Sequence, residues 1–264
     1  MTSRALNQSG KILKLKARTA LMGKYAPCII LISFLTSITL LLEWLLDISG
    51  FSPTGDTFQQ ICYILMYVII LLLESILSVG LTRFFLQLTL KQPTSFTDLF
   101  YCFTHDPDRF ILAAALVQAP VIAAQIPMSV YLFRLPAFAE WTTQHLVTLA
   151  GLELFSLLVS MVTSLFLGQS FYILLEDSKC GILESLKRSC QLMKGHKRRL
   201  FALYLSFFLY ALLTLGTFGL GSLWLQPYME MIRVQFYLDI TGREVPEDEP
   251  DKESGEAAEE NEIP

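Results

Sequence analysis

A chain of 264 residues with 53% hydrophobic and only 17% charged residues, and a formal net charge of −4, does not have the composition of a soluble enzyme. Its apolar residues gather in six long stretches between short polar loops, which makes it an integral membrane protein and excludes most soluble-enzyme chemistry. The net charge conceals two opposed parts: Glu244 to Pro264 holds ten acidic residues and one lysine, leaving nineteen basic against fourteen acidic in the first 243.

Residues 1–25 come first. Leu6, Ile12, Leu13, Leu15, Ala17, Ala20 and Leu21 stand among basic residues, with no acid from Arg4 to Lys24. This predicts a basic amphipathic helix lying on the inner leaflet. Basic residues near an anionic surface gain roughly 1 kcal/mol each, so anchoring to anionic inner-leaflet lipids accounts for them and nucleic-acid binding is not needed.

A membrane span needs about 20 apolar residues. Ala26 to Leu46, Gln60 to Thr82, Phe110 to Phe133, Leu146 to Leu175 and Leu200 to Leu215 meet this. The first is not a secretory signal, because it is too long and lacks a small-residue cleavage site near its end. Span two puts Tyr67, Glu74, Ser78 and Thr82 on one face, so Glu74 is an acid at membrane depth.

His105, Asp106 and Asp108 precede span three. Their spacing invites a metal or phosphohydrolase proposal, but reads better as a helix-opening loop with Asp108 as cap. Span three carries Pro120 and Pro127, with Gln118 and Gln125, and is expected to bend twice in one direction. Span four repeats Ser156, Ser160, Ser164 and Gly168 every four residues, a spacing that lets helices approach closely. Glu153, one turn earlier, is expected to snorkel to the outer interface.

A second surface helix is expected from Ser178 to Met193. Ile182, Leu183, Leu186, Cys190 and Met193 form its apolar face, Glu184, Lys187, Arg188 and Gln191 its polar face, and Gly195 its C-cap. Lys194, His196, Lys197, Arg198 and Arg199 then read as a topology-setting cluster that contacts lipid phosphates, ahead of a dedicated anionic-ligand site.

The sixth stretch, Leu220 to Ile240, carries Gln226, Glu230, Arg233 and Gln235, and hydropathy leaves it undecided between a span and an interfacial helix. Gln226, Glu230, Arg233 and Tyr237 share one face, which is expected to turn inward with Glu230 and Arg233 paired. Gly216, Gly219 and Gly221 suit a tight hairpin before it, and Pro227 favours a kink within it. The stripe is either a buried clamp that fixes the bundle or the polar wall of a cavity.

With six spans and a cytoplasmic amino terminus, the inside receives nearly every basic residue and the outside Arg134 alone, as the positive-inside rule requires. Both termini are then cytoplasmic, and residues 242–264 form a disordered acidic tail. Cys28, Cys62, Cys102, Cys180 and Cys190 lack metal spacing and read as reduced and structural. His105, His145 and His196 lie in separate loops, and no catalytic motif is found.

The run Ser189, Met193, Lys194, Gly195, His196, Lys197, Phe201, Leu205, Ser206, Phe207, Gly219, Gly221, Trp224, Pro227, Tyr228, Phe236 and Tyr237 resembles the carboxy-terminal signature of a bacterial membrane-protein family, domain of unknown function 975. Gly80, Arg83, Phe84, Phe85 and Leu86 also resemble its pattern. Val162 to Gly168 lacks the proline of that family's fourth-span proline-glycine step, and Tyr210 stands where tryptophan is common. The resemblance implies a six-helix membrane fold in a bacterial cytoplasmic membrane and brings no established activity.

The expectation is therefore an all-α polytopic membrane bundle over residues 26–241, working without cofactor or metal as a non-enzymatic accessory component with a membrane-protein partner. The alternative is a small permease whose cavity is lined by Glu74, Glu230, Arg233 and Glu153. An intramembrane enzyme using His105, Asp106 and Asp108 comes third.

Overall fold

The computed structural model describes residues 8–51, 55–135, 141–217 and 221–243, and among them the chain forms helices and no strand. The acidic tail and Leu6 lie outside the described residues. In chain order the helices are α1 (Gly10–Leu21), α2 (Tyr25–Ile48), α3 (Thr57–Thr89), α4 (Tyr101–Thr104), α5 (Pro107–Leu132), α6 (Thr143–Leu167), α7 (Ser170–Glu176), α8 (Ile182–Leu192), α9 (Lys197–Gly216) and α10 (Ser222–Thr241). A 3₁₀ turn at Phe96–Phe100 leads into α4.

Among the described residues four stretches are long and apolar enough to cross a membrane: α2, α3, α5 and the continuous α6–α7 stretch Thr143–Glu176. By length and composition these helices suit a membrane protein. Leu154, Phe155, Leu157, Leu158 and Val162 of α6 are all exposed, which suits a helix facing hydrocarbon rather than water. α5 and α6 pack as a hairpin, and the Ser156 hydroxyl donates to the Ala124 carbonyl across it at 3.1 Å. The close approach expected of the small residues in span four is realised there.

The expected fifth and sixth spans, α9 and α10, are not among these four. α10 carries Glu230, Arg233 and Asp239 and is too polar along part of its length, whereas α9 is uncharged from Leu200 to Gly216 and several of its side chains lie outside the described residues. Their packing is informative. At one end of the α9–α10 hairpin, Thr217, Gly221 and Trp224 line a cavity together with Arg18 and Tyr25, at the start of α2. At its other end Arg243 pairs with Glu176, the last residue of α7. Midway, Thr89 at the end of α3 donates to the Met231 sulfur at 3.0 Å. The hairpin thus lies along one end of the four-span bundle, called the base here, where α2 and α5 begin and α3 and α7 finish.

α3 explains how a helix layer fits there. Its 33 residues rise about 50 Å, well over a hydrocarbon core of about 30 Å, so the last turns emerge from the bilayer and offer Phe84, Phe85 and Leu88 to α10. From Met231 to Ile240, α10 is buried at every position except Arg233, which makes it the central helix of the base. The inward turn expected of its polar stripe is realised only in part, because Gln226 is exposed.

α1 also departs from expectation. Leu13, Ala17 and Leu21 are buried against α10, while Ile12, Leu15 and Met22 point outward beside Lys11 and Arg18. Its apolar residues therefore divide between a protein-facing and an outer face, instead of forming one lipid face. In α8, Ser185, Ser189 and the following Met193 are buried, whereas Leu183 is 73% exposed; the Ser189 hydroxyl donates to the Phe166 carbonyl at 2.8 Å. Gly195 adopts φ +85°, as its capping role requires.

Two local expectations are corrected. Asp106, not Asp108, occupies the N-cap position of α5, in left-handed backbone with φ 51°, and Asp108 lies in the first turn. The α6–α7 stretch breaks at Gly168–Gln169 without any proline. A side chain at Gly168 would meet the Ser164 carbonyl oxygen at 2.4 Å, so glycine alone permits the turn. α5 continues through both Pro120 and Pro127.

Candidate functional site

The base is held by three polar clamps, each joining residues distant in sequence. Asp239, 2% exposed, accepts from the Gln8 backbone N–H at 2.9 Å and from the Arg199 guanidinium at 2.6 Å. Arg199 also donates to the Gln8 carbonyl at 2.5 Å, so one ion pair between α9 and α10 pins the chain just ahead of α1. His196 lies 3.4 Å from the same guanidinium. Burial, and then the charge of Arg199, lower its pKa and keep the ring neutral.

In the second clamp the Tyr237 hydroxyl donates to Glu176 at 2.6 Å, and Arg243 pairs with the other carboxylate oxygen. Tyr237 stacks on Tyr172 with ring centroids 4.7 Å apart. Burial, reinforced by Glu176, pushes the Tyr237 hydroxyl far above its ordinary value, so it stays a donor. In the third clamp Glu230 and Arg233 pair at 2.7 Å, the Arg233 guanidinium lies 5.6 Å from the Tyr204 ring centroid, and the Tyr204 hydroxyl reaches Ser164 at 3.1 Å. One polar chain therefore links α6, α9 and α10. Asp239, the one of these charges that is fully buried, would cost several kcal/mol if left unpaired.

The six residues expected to form an intramembrane cluster do not gather in one group: Glu74 and Glu153 both lie within electrostatic range of Tyr67, while Gln226, Glu230, Arg233 and Tyr237 lie on α10. Glu74 lies beside Thr39 and Glu43 of α2, and one of its carboxylate oxygens is buried without a hydrogen-bond partner. Glu153 and Gln226 are exposed. Glu230 and Arg233 form the pair expected, and Tyr237 belongs to the Glu176 clamp. The expected phosphate-binding surface divides as well: Lys194 and Arg198 are exposed, but the Lys197 ammonium sits 3.4 Å from the Phe166 ring centroid and Arg199 is engaged by Asp239.

The candidate enzyme residues have local roles. His105 stacks on Tyr101 at 4.2 Å between centroids and lies 2.8 Å from the Thr104 hydroxyl. Arg109, which follows Asp108, donates to the carbonyls of Asp177 and Cys180, each at 2.7 Å, and so ties the start of α5 to the α7–α8 loop.

Sequence reading passed over Asp239, Glu176, Tyr172 and Tyr204. Two of them carried a signal: Asp239 is the one acid in the apolar run from Phe236 to Ile240, and Glu176 closes the run from Phe171 to Leu175. Acids so placed need a cation, and the cations, Arg199 and Arg243, lie far away in the chain.

Residues 7–244 match a family model described as "Protein of unknown function (DUF975)". No curated protein and no solved structure matches the chain.

Proposed function

The chain belongs to the DUF975 family, and from that premise we propose that it is a non-enzymatic, membrane-anchored interaction component of the cytoplasmic membrane, with its base as the working surface. The observation that carries this reading is how its charges are used. Glu176, Glu230, Arg233, Asp239 and Arg199 are spent on interhelical clamps at the base, apart from the span acids Glu43, Glu74 and Glu153, which lie within electrostatic range of Tyr67. Lys179, Lys187, Lys194 and Arg198 remain exposed beside them as a basic face.

The test is affinity purification of the tagged full-length protein from its native membrane. A near-stoichiometric partner is expected, and it should be lost when Lys187, Lys194 and Arg198 are together changed to Gln in a variant that inserts normally. Solute flux through the purified protein alone in proteoliposomes, with no partner in the membrane, would overturn the reading. That outcome would favour a small permease, for which the unpartnered Glu74 carboxylate oxygen is the supporting observation.

The same reading places both termini and the whole base in the cytoplasm, with four spans and α9–α10 on the inner side. Arg134 then faces outward, and nearly all other basic residues lie inside. On a cysteine-free background in intact cells, Arg134→Cys should react with a membrane-impermeant maleimide, whereas Thr217→Cys should react only after the membrane is opened. Equal labelling of the two would mean that the hairpin crosses the bilayer and that the chain has six spans.

A further inference from the structure

Between α1, the first turn of α2 and the α9–α10 hairpin lies a cavity of about 420 Å³, within the size range of small-molecule sites. Its walls include Arg18, Tyr25, Tyr210, Trp224, Leu225 and Tyr228, and none of its lining residues is acidic. Arg18 is exposed and has no acidic partner among the described residues. The Tyr228 hydroxyl, which donates to the Lys14 carbonyl at 3.4 Å, stands near the Arg18 charge. From Gly10 to Lys24 the chain carries Lys11, Lys14, Lys16, Arg18 and Lys24 and no acid, so nothing on this helix neutralises the guanidinium.

The rim is apolar at Trp224, which lines the cavity and is 60% exposed; Leu15 in α1 and Met22 just past its end, 64% and 59% exposed, stand outside the lining on either side of Arg18. Leu15, Arg18 and Met22 are spaced by three and four residues, which places the charge between two apolar side chains on one helical face. A soluble phosphate would use the guanidinium and leave the rim idle. An acyl chain alone would use the rim and leave a cation unpaired.

We propose that this cavity is a discrete binding site for one anionic phospholipid. The Arg18 guanidinium takes the phosphate, tyrosine hydroxyls meet the polar head, and the upper part of a chain lies against Trp224, Leu15 and Met22. The site stands apart from the three clamps, and it holds whether the protein is an interaction component or a permease.

The experiment is native mass spectrometry of the full-length protein in detergent, with phosphatidylglycerol or phosphatidylcholine added in equal amount. One phosphatidylglycerol should be retained in preference to phosphatidylcholine. Arg18→Gln should weaken that retention about tenfold, the size of a lost charge-assisted phosphate contact. Lys16→Gln, which removes an equal charge from the same helix but is not a lining residue, should leave it unchanged. Equal losses in the two variants would mean diffuse attraction to the helix and would overturn the site. Displacement of the lipid by millimolar glycerol phosphate would overturn it in favour of a soluble phosphate ligand. Because Arg18 is exposed, the variant should fold; an unchanged melting temperature in detergent checks this, and retention unchanged in a folded Arg18→Gln would refute the assignment.

Discussion

Arg199→Met is expected to destabilise the protein by about 3–5 kcal/mol, and more than Asp239→Asn does, although both remove the same ion pair. The asymmetry follows from burial. The Asp239 side chain is 1% exposed and cannot reach water if its partner is lost, whereas Arg199 is 27% exposed on a long side chain and can turn outward. Asp239→Asn also keeps an oxygen for the Gln8 N–H, while Arg199→Met removes the bond to the Gln8 carbonyl. In the double variant Arg199→Met with Asp239→Leu, no charge remains buried, so most of the loss should return. Thermal unfolding of the four proteins in detergent gives the comparison. Equal single-variant losses, or a double variant worse than either, would show that the pair is not a buried clamp.

The helices themselves were legible because hydropathy reports local environment: each apolar stretch read from the sequence corresponds to one helix or to the α6–α7 stretch. Their arrangement was less legible, because it depends on partners far away in the chain. Seen alone, the stripe Gln226, Glu230, Arg233 and Tyr237 belongs to a helix that hides polar groups from lipid. Seen in the fold, α10 is enclosed by α1, α2, α3 and α9, so its polar residues find partners in several directions and Gln226 needs none.

The pair Glu230–Arg233 was predictable because three residues along a helix bring two side chains together. The pairs Asp239–Arg199 and Tyr237–Glu176 bridge 40 and 61 residues, and no local period encodes them. The second, protein-facing side of α1 was hidden for a related reason. A face composed of leucine, alanine and lysine suits a lipid surface and a protein groove equally well, and only the position of α10 decides between them. The four-residue repeat in span four was more informative, since small side chains at that spacing have few uses other than close packing.

Gly80→Ala is expected to be the most damaging addition of a single methyl group among the described glycines. A Cβ at this position would lie 2.1 Å from the Leu99 carbonyl oxygen and 2.8 Å from the Leu99 Cα. The obstacle is backbone, and it is held firmly. Ser95 and Asp98 close a capping box on the 3₁₀ turn, Arg83 pairs with Asp98 at 3.3 Å, and the Arg83 guanidinium lies 3.4 Å from the Tyr101 ring centroid. Leu99 and Cys102 are both fully buried, so the turn has little room to retreat. Gly80 and Arg83, one turn apart on α3, thus form a single device: the glycine admits the turn and the arginine locks it. In a helix interior alanine is ordinarily favoured over glycine by about 1 kcal/mol, while overpacking a rigid site costs roughly 1–3 kcal/mol and more where backbone must move. The clash should therefore win at Gly80. Gly151, in the middle of α6, supplies the opposite case: a Cβ there would meet nothing within 4 Å, and Gly151→Ala should raise stability. Melting temperatures that move in opposite directions for the two variants would establish the close approach at Leu99; a Gly80→Ala protein as stable as the parent would mean that the turn sits farther from α3. Because the turn leads through α4 to Arg109 and its grip on the α7–α8 loop, its displacement should also loosen the base, detectable as faster proteolysis between Asp177 and Gly181.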